Sequence, residues 1–127
     1  MIVVRTPQDD LFNYTEVEEL YNSCKKELND GEFKEVVKSN LFYAFYIWQT
    51  GELIGCIYFY HRGKKLYVNA FSNRGHHELN LECFRKSLTW FDCDIYADGL
   101  HKTSRLCLLK SGFKRVKDNL FIYRRKN

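Results

Sequence analysis

The sequence has a single proline, Pro7, and no Pro/Gly/Ser-rich stretch, internal repeat or low-complexity segment. Without such a linker, its 127 residues predict one domain spanning residues 1–127. The five cysteines are odd in number and form no Cys-x-x-Cys pair, which argues against a disulfide framework or a zinc cluster. The adjacent His76 and His77 would point about 100° apart on a helix, so no metal site is predicted.

Long apolar runs are also lacking. The segment LFYAFYIW, residues 41–48, is too short to span a bilayer. The N-terminal residues MIVVRTPQDD lack the basic and then apolar pattern of a signal peptide. Together with unpaired cysteines, these absences predict a cytoplasmic protein without a membrane partner.

Aromatic residues are abundant, at 17% of the chain, and hydrophobic residues reach 45%. This composition is typical of a globular domain in which strands pack against helices. The net charge of +4 permits an acidic partner but does not require one.

Hydrophobic spacing predicts the elements of the N-terminal half. An opening strand at residues 1–5 precedes a helix whose apolar residues run from Leu11 to Cys24. The turn residues 29–31 end this helix, and a shorter helix follows over residues 33–39. Three strands at 41–48, 52–60 and 65–71 then form an antiparallel meander.

The C-terminal half alternates helices with strands. A helix is expected over residues 76–91, a strand over 93–98, a helix over 102–110 and a final hairpin around Asp118-Asn119. The helix at 76–91 would connect the strands at 65–71 and 93–98 as a crossover. These two strands are therefore expected to be parallel within an otherwise antiparallel sheet.

Three segments in this order resemble the GNAT superfamily of N-acetyltransferases. They are the strand start ELIG at 52–55, the segment LYVNAFSNRG at 66–75 before a helix, and HKTSRLCLLKSGFKR at 101–115 with its Gly-Phe pair. The resemblance implies an α/β (α+β) fold with a mixed sheet, a central parallel strand pair and helices on both faces. It also implies an acyl-CoA-dependent N-acetyltransferase that uses acetyl-CoA and acts on an unknown small-molecule or protein amine.

The resemblance further implies a cofactor site. In the family, a β-bulge spreads the central strands so that pantetheine pairs with exposed backbone, and pyrophosphate sits at the next helix N-terminus. Carried onto this chain, the cofactor-binding residues are Val68, Asn69, Ala70 and Phe71 for pantetheine, and Arg74, Gly75, His76, His77 and Glu78 for pyrophosphate.

The chain departs from the family pattern at three positions. His77 and Leu79 stand where small residues let phosphate approach, and crowding there would weaken binding by roughly two to four orders of magnitude. Leu108 stands where the family has the Tyr that protonates the thiolate. Tyr96, Ser104 and Cys107 are possible substitutes by residue type.

The catalytic residues expected from position are Asn69, Asp98 and His101. Asn69 could orient a substrate or a water, while Asp98 and His101, with Asp94, are candidates for the base that takes the amine proton.

A second hypothesis is a binding or assembly protein that has kept this fold and lost its chemistry. Some small acetyltransferase-like proteins of tailed bacteriophages look similar. A side chain filling the gap between the strands at 66–71 and 94–98 would favour this hypothesis, and an open gap would favour the enzyme. The basic cluster of residues 114–117 and 123–126 could contact nucleic acid or an acidic protein, although protection of an edge strand by charge explains it more simply.

Overall fold

The computed structural model describes residues 1–125, so Lys126 of the basic cluster lies outside the described residues. Seven strands form one mixed sheet, and the order of the elements along the chain is the predicted one. The strands are β1 (Ile2–Arg5), β2 (Leu41–Ile47), β3 (Leu53–Arg62), β4 (Lys65–Ser72), β5 (Ile95–Asp98), β6 (Lys114–Lys117) and β7 (Leu120–Tyr123). The helices are α1 (Tyr14–Leu28), α2 (Phe33–Ser39), α3 (His77–Ser87) and α4 (Lys102–Lys110), and a 3-10 turn spans Leu88–Trp90.

The sheet order is β1-β2-β3-β4-β5-β7-β6. The pair β4 and β5 is parallel, and the other neighbouring strands are antiparallel. This arrangement confirms the expected parallel pair inside an antiparallel sheet. It follows from the crossover, because a strand that returns through a helix on one face runs in its original direction.

Helix α1 begins later in the chain than its apolar spacing predicts. The Asn13 side chain caps it by accepting the Glu16 N–H at 3.1 Å, and Asn29 ends it in the left-handed conformation with φ of 53°. Leu11 therefore precedes the helix and is 69% exposed. The buried face of α1 carries Val17 and Tyr21 against the sheet.

Strand alternation divides the core between the two faces of the sheet. On β3, the side chains of Cys56 and Tyr58 pack with α1 and α2. Those of Ile57 and Phe59 pack with α3 and α4 on the opposite face. Helices thus cover both faces of the sheet, as predicted.

Two C-terminal details differ from the periodic pattern. Helix α3 ends at Ser87 rather than near residue 91, because a 3-10 turn follows and Phe91 is already extended. The predicted final hairpin is present, but its second strand, β7, lies inside the sheet beside β5. Strand β6 forms the edge, and all four of its residues are exposed.

Candidate active site at the separation of two parallel strands

The central parallel strands separate after two paired positions. Leu66 pairs with Ile95 and Tyr67 pairs with Tyr96, and the ladder then ends. Strand β5 stays with β7 as far as Asp98, and the Gly99 N–H continues to the Asn119 carbonyl at 2.8 Å. We call the opening between residues 68–71 of β4 and residues 97–98 of β5 the slot.

The expected β-bulge is not found in β4. Strands β3 and β4 keep one continuous register from the pair of Arg62 with Lys65 to the pair of Gly55 with Ser72. The separation therefore comes from β5, which follows β7 away from β4. Gly99 permits this path, because an added Cβ would lie 2.6 Å from the ring of Phe121.

A cleft opens on each face of the sheet at the slot. The larger cleft, about 480 Å³, lies on the side of α3 and α4. The smaller cleft, about 260 Å³, lies on the other side, against the loop that joins α1 to α2. Seven residues line both clefts, so the two meet through the slot. They are Glu27, Val68, Asn69, Ala70, Asp98, His101 and Ser104.

The side chain of Asn69, predicted to be catalytic, is fully engaged with its neighbours. Its Nδ2 donates to Asp30 Oδ2 at 2.7 Å, and its Oδ1 accepts the Ala70 N–H at 2.9 Å. The Tyr58 hydroxyl also donates to Asp30 Oδ2 at 2.7 Å. Asn69 thus orients the Asp30 carboxylate in the smaller cleft.

Asp30 lines the smaller cleft, a position that the sequence did not reveal because its turn indicated only the end of a helix. It contacts residues 28 and 39 positions away in the chain. Burial, together with the charge of Asp30, raises the pKa of Tyr58 well above its ordinary value. The neutral phenol therefore remains a donor to the carboxylate at physiological pH.

Asp98 and His101 occupy the positions predicted for them, at the end of β5 and the start of α4. Asp98 Oδ2 lies 3.3 Å from Arg62 Nη1. His101 is the N-cap residue of α4 and is exposed, and its backbone N–H donates to Ser104 Oγ at 3.1 Å. Asp94 lines neither cleft. Its carboxylate accepts the Arg125 N–H at 2.8 Å.

The loop before α3 is open, and the first amides of the helix are not used within it. Gly75 has φ of +93°, and a Cβ built there would meet no atom within 4 Å. The Asn80 N–H bonds to the His76 carbonyl at 2.8 Å, so the amides of residues 77–79 form the free first turn of the helix. The His76 side chain turns away and lies 2.9 Å from Glu52 Oε1.

The two altered positions of the loop differ in their surroundings. His77 is exposed and lines the larger cleft. Leu79 is partly buried and packs against the hydrophobic core, and it lines neither cleft.

The position of the missing Tyr is apolar in the structure. Leu108 is buried in the wall of the larger cleft, and Ser104 and Cys107 line the same cleft. Burial raises the pKa of the Cys107 thiol, which favours its protonated form. Tyr96 lies on the opposite face of the sheet, stacked on Tyr67.

One polar atom in the wall of the larger cleft has no partner among residues 1–125. Asn80 Oδ1 is buried without a hydrogen bond. It lies over Gly55, where a Cβ would come within 2.7 Å of this oxygen. An unpaired buried acceptor is costly unless a ligand or water donates to it.

Residues 1–125 contain no group of three or more His, Cys, Asp or Glu side chains that could hold a metal ion. Among the helices of this described part, none is both long and apolar enough to cross a membrane.

No family model matches the sequence, and no curated protein matches it. Solved structures do match. An acetyltransferase of the GNAT family from Bacillus anthracis superposes with a TM-score of 0.71 at 12% identity, over 97% of this chain and 94% of that one. For the ribosomal-protein-S5-alanine acetyltransferase of Vibrio fischeri the TM-score is 0.69 at 10% identity, over 99% and 94%. The structure of AtaTR bound with AcCoA gives 0.67 at 8% identity, over 97% and 93%. The chain therefore has the fold of the GNAT acetyltransferases.

Proposed function

We propose that the protein is an acyl-CoA-dependent N-acetyltransferase, with acetyl-CoA as the donor and an amine as the acceptor. The slot is the observation that carries this proposal. A donor in the larger cleft and an acceptor in the smaller one would meet where the two clefts share Asn69, Ala70 and Asp98. Such a meeting point brings two reactants together in one geometry, which is a large part of catalysis.

The residues present fit acetyl-CoA. The edge of β4 at residues 68–71 has no strand paired to it on the side of the slot, and Asn80 Oδ1 is an unused acceptor beside it. Backbone groups of residues 68–71 would hold the pantetheine arm. Arg74, Gly75 and the first amides of α3 would hold the pyrophosphate, where the helix dipole favours negative charge. The bound cofactor would supply an activated thioester carbonyl.

The proton chemistry is assigned to the residues around the slot. An amine must be neutral to attack, so a group near the acceptor has to accept its proton. His101 lines both clefts and is exposed, and a neutral imidazole has a ring nitrogen that can accept a proton. Asp98, which precedes His101 with two residues between them, also lines both clefts and is paired with Arg62. We assign His101 as the base and Asp98 as the residue that positions the acceptor.

A protonated group is also needed on the side of the donor. Ser104 and Cys107 carry exchangeable protons in the wall of the larger cleft. The raised pKa of Cys107 keeps its thiol protonated, so we propose Cys107 as the donor that replaces the missing Tyr.

The open slot also bears on the binding-protein hypothesis. A retained but inactive fold is expected to fill the gap between the strands with side chains, whereas here two clefts meet in it. This observation supports the transferase over a protein that only binds partners.

Calorimetry with acetyl-CoA tests the proposal. We expect saturable binding and, with a mixture of amines, release of free thiol that depends on the acceptor. His101→Ala is expected to keep cofactor binding while lowering the rate of transfer by 10²–10⁴-fold. Absence of any heat at millimolar acetyl-CoA would contradict the proposal.

A further inference from the structure

We propose that the acceptor is a dicationic amine, such as an α,ω-diamine or a guanidinium-bearing amine, whose second cation binds in the smaller cleft. This inference rests on the proposed function, because it identifies the substrate class of the same site. It is drawn from a row of tyrosines, from a cation of the protein that already rests on this row, and from the balance of charge in the cleft.

The tyrosine row crosses the sheet on the face of α1 and α2. Tyr96 of β5 stacks on Tyr67 of β4, with ring centroids 5.6 Å apart. Tyr67 stacks on Tyr60 of β3 at 5.7 Å, and Tyr60 lies 6.2 Å from Tyr58. Aromatic faces carry negative electrostatic potential and attract cations. Tyr60 reaches the smaller cleft as part of its lining.

A guanidinium of the protein itself shows that the row accepts a cation. The Arg62 Cζ atom lies 4.2 Å from the centroid of the Tyr67 ring and 5.7 Å from that of Tyr60. Its Nη1 is 3.3 Å from Asp98 Oδ2 in the cleft. The Arg62 side chain is 55% exposed, and the residue ends β3 just before the turn. A cation of the protein thus already lies between the tyrosine row and Asp98, at the side of the smaller cleft.

The charges of the cleft leave room for a further cation. Three carboxylates line it, those of Glu27, Asp30 and Asp98, against one guanidinium. Asp98 is paired with Arg62. Within residues 1–125, Asp30 accepts hydrogen bonds from two neutral groups, and Glu27 forms no ion pair.

These contacts fix the expected orientation of the acceptor. The reacting amine would lie at the slot beside Asp98 and His101, which both clefts share. The second cation would lie toward the carboxylates of Glu27 and Asp30, which line the smaller cleft together with Tyr60. An acceptor with a carboxylate in place of the second cation would meet like charges and bind poorly.

The test compares four small molecules of similar length by calorimetry, without cofactor. Agmatine and 1,5-diaminopentane are dications, pentylamine is a monocation, and 5-aminopentanoate carries an opposed carboxylate. We expect the dications to bind at least tenfold more tightly than pentylamine, and 5-aminopentanoate to bind most weakly. Raising the salt concentration should reduce the difference in affinity between the dications and pentylamine. The cleft is partly open, so salt ions can screen its charges. Equal affinity for dications and monocation would overturn the inference.

Two variants locate the site. Glu27→Gln is expected to weaken diamine binding about fivefold to tenfold, whereas Glu82→Gln, the same change on the exposed side of α3, should leave it unchanged. Arg62→Ala is expected to strengthen diamine binding, because it removes the competing cation. Weaker binding by Arg62→Ala, or equal effects at Glu27 and Glu82, would contradict the assignment.

Transfer assays separate this inference from the proposed function. If acetyl groups move to pentylamine as efficiently as to the diamines, measured as kcat/KM, the substrate class is wrong and the transferase stands. If diamines bind selectively but acetyl-CoA neither binds nor reacts, the proposed function fails while the cation site is confirmed.

Discussion

The two clefts at the slot are built from the same strands and have different chemistry. On the side of α3 and α4, Val68 and Ala97 belong to the hydrophobic core, and the helices add polar side chains such as those of His77, Asn80 and Ser104. On the other side, Asn69 and Asp98 meet tyrosines and carboxylates. Successive strand residues point to opposite faces, so one separated pair of strands presents mainly apolar strand side chains to one cleft and polar ones to the other. The comparison teaches that the slot sets where the two clefts meet, and that the alternation of strand residues sets which side chains line each cleft.

The largest expected effect comes from blocking the slot. Ala70 lines both clefts, and Ala70→Trp would place an indole in the opening. We expect acetyl-CoA affinity to fall at least 100-fold by calorimetry. The free energy of unfolding should change by less than about 1.5 kcal/mol, because the ring enters existing space rather than packed core. Ala70→Ser is the control and should bind normally. Unchanged affinity in Ala70→Trp would place the donor elsewhere.

A second prediction concerns the close packing on the side of α3. In Gly55→Ala, the new Cβ would lie 2.7 Å from Asn80 Oδ1 and 2.8 Å from the Phe71 carbonyl oxygen. We expect a loss of about 1–3 kcal/mol in urea-induced unfolding. Adding Asn80→Ala should restore part of this loss, because one of the two contacts is removed. An unchanged free energy of unfolding in Gly55→Ala would mean that α3 moves freely over the sheet.

On the polar face, the stability at alkaline pH reports the burial of Tyr60. Burial, helped by Asp30, raises the pKa of Tyr60 to about 12, against about 10 for an unfolded tyrosine. Between these values the folded chain keeps the proton and the unfolded chain loses it. This contribution is therefore complete below pH 10 and is lost as pH rises toward 12. Tyr60→Phe should make the fall in stability between pH 10 and 12 shallower.

The matched control for this measurement is Tyr14→Phe, which changes an exposed tyrosine on α1. Its unfolding profile should keep the slope of the wild type. If Tyr60→Phe also keeps that slope, the smaller cleft is more hydrated than its contacts indicate.

The smallest effect is expected at the C-terminal arginines. Arg124 lies 3.5 Å from Asp94 and Arg125 lies 2.9 Å from Asp92, both at the surface. Replacing both arginines by alanine should cost less than about 1 kcal/mol, and less still in high salt. Binding of nucleic acid through this cluster stays a prediction. A steep dependence on salt that disappears in the double variant would support it, and binding insensitive to salt would exclude it.

The order of the elements could be predicted from the sequence, because hydrophobic spacing is a local property of the chain. The spacing of Leu79, Cys83 and Phe84 indicates a helix, and the strands on either side of it must then be parallel. The crossover also brings Asp98 and His101 to the open end of β4, which is why these predicted residues line the clefts.

What the sequence determined by itself is therefore the architecture and the strand edge that carries the site. Tertiary structure decided the contacts made across long separations in the chain. Asp30 joins the site through Tyr58 and Asn69, Leu79 turns into the core, and β5 follows β7 without a bulge in β4. None of these can be predicted from periodicity, because each depends on which side chains from distant segments fill the same space once the sheet has formed.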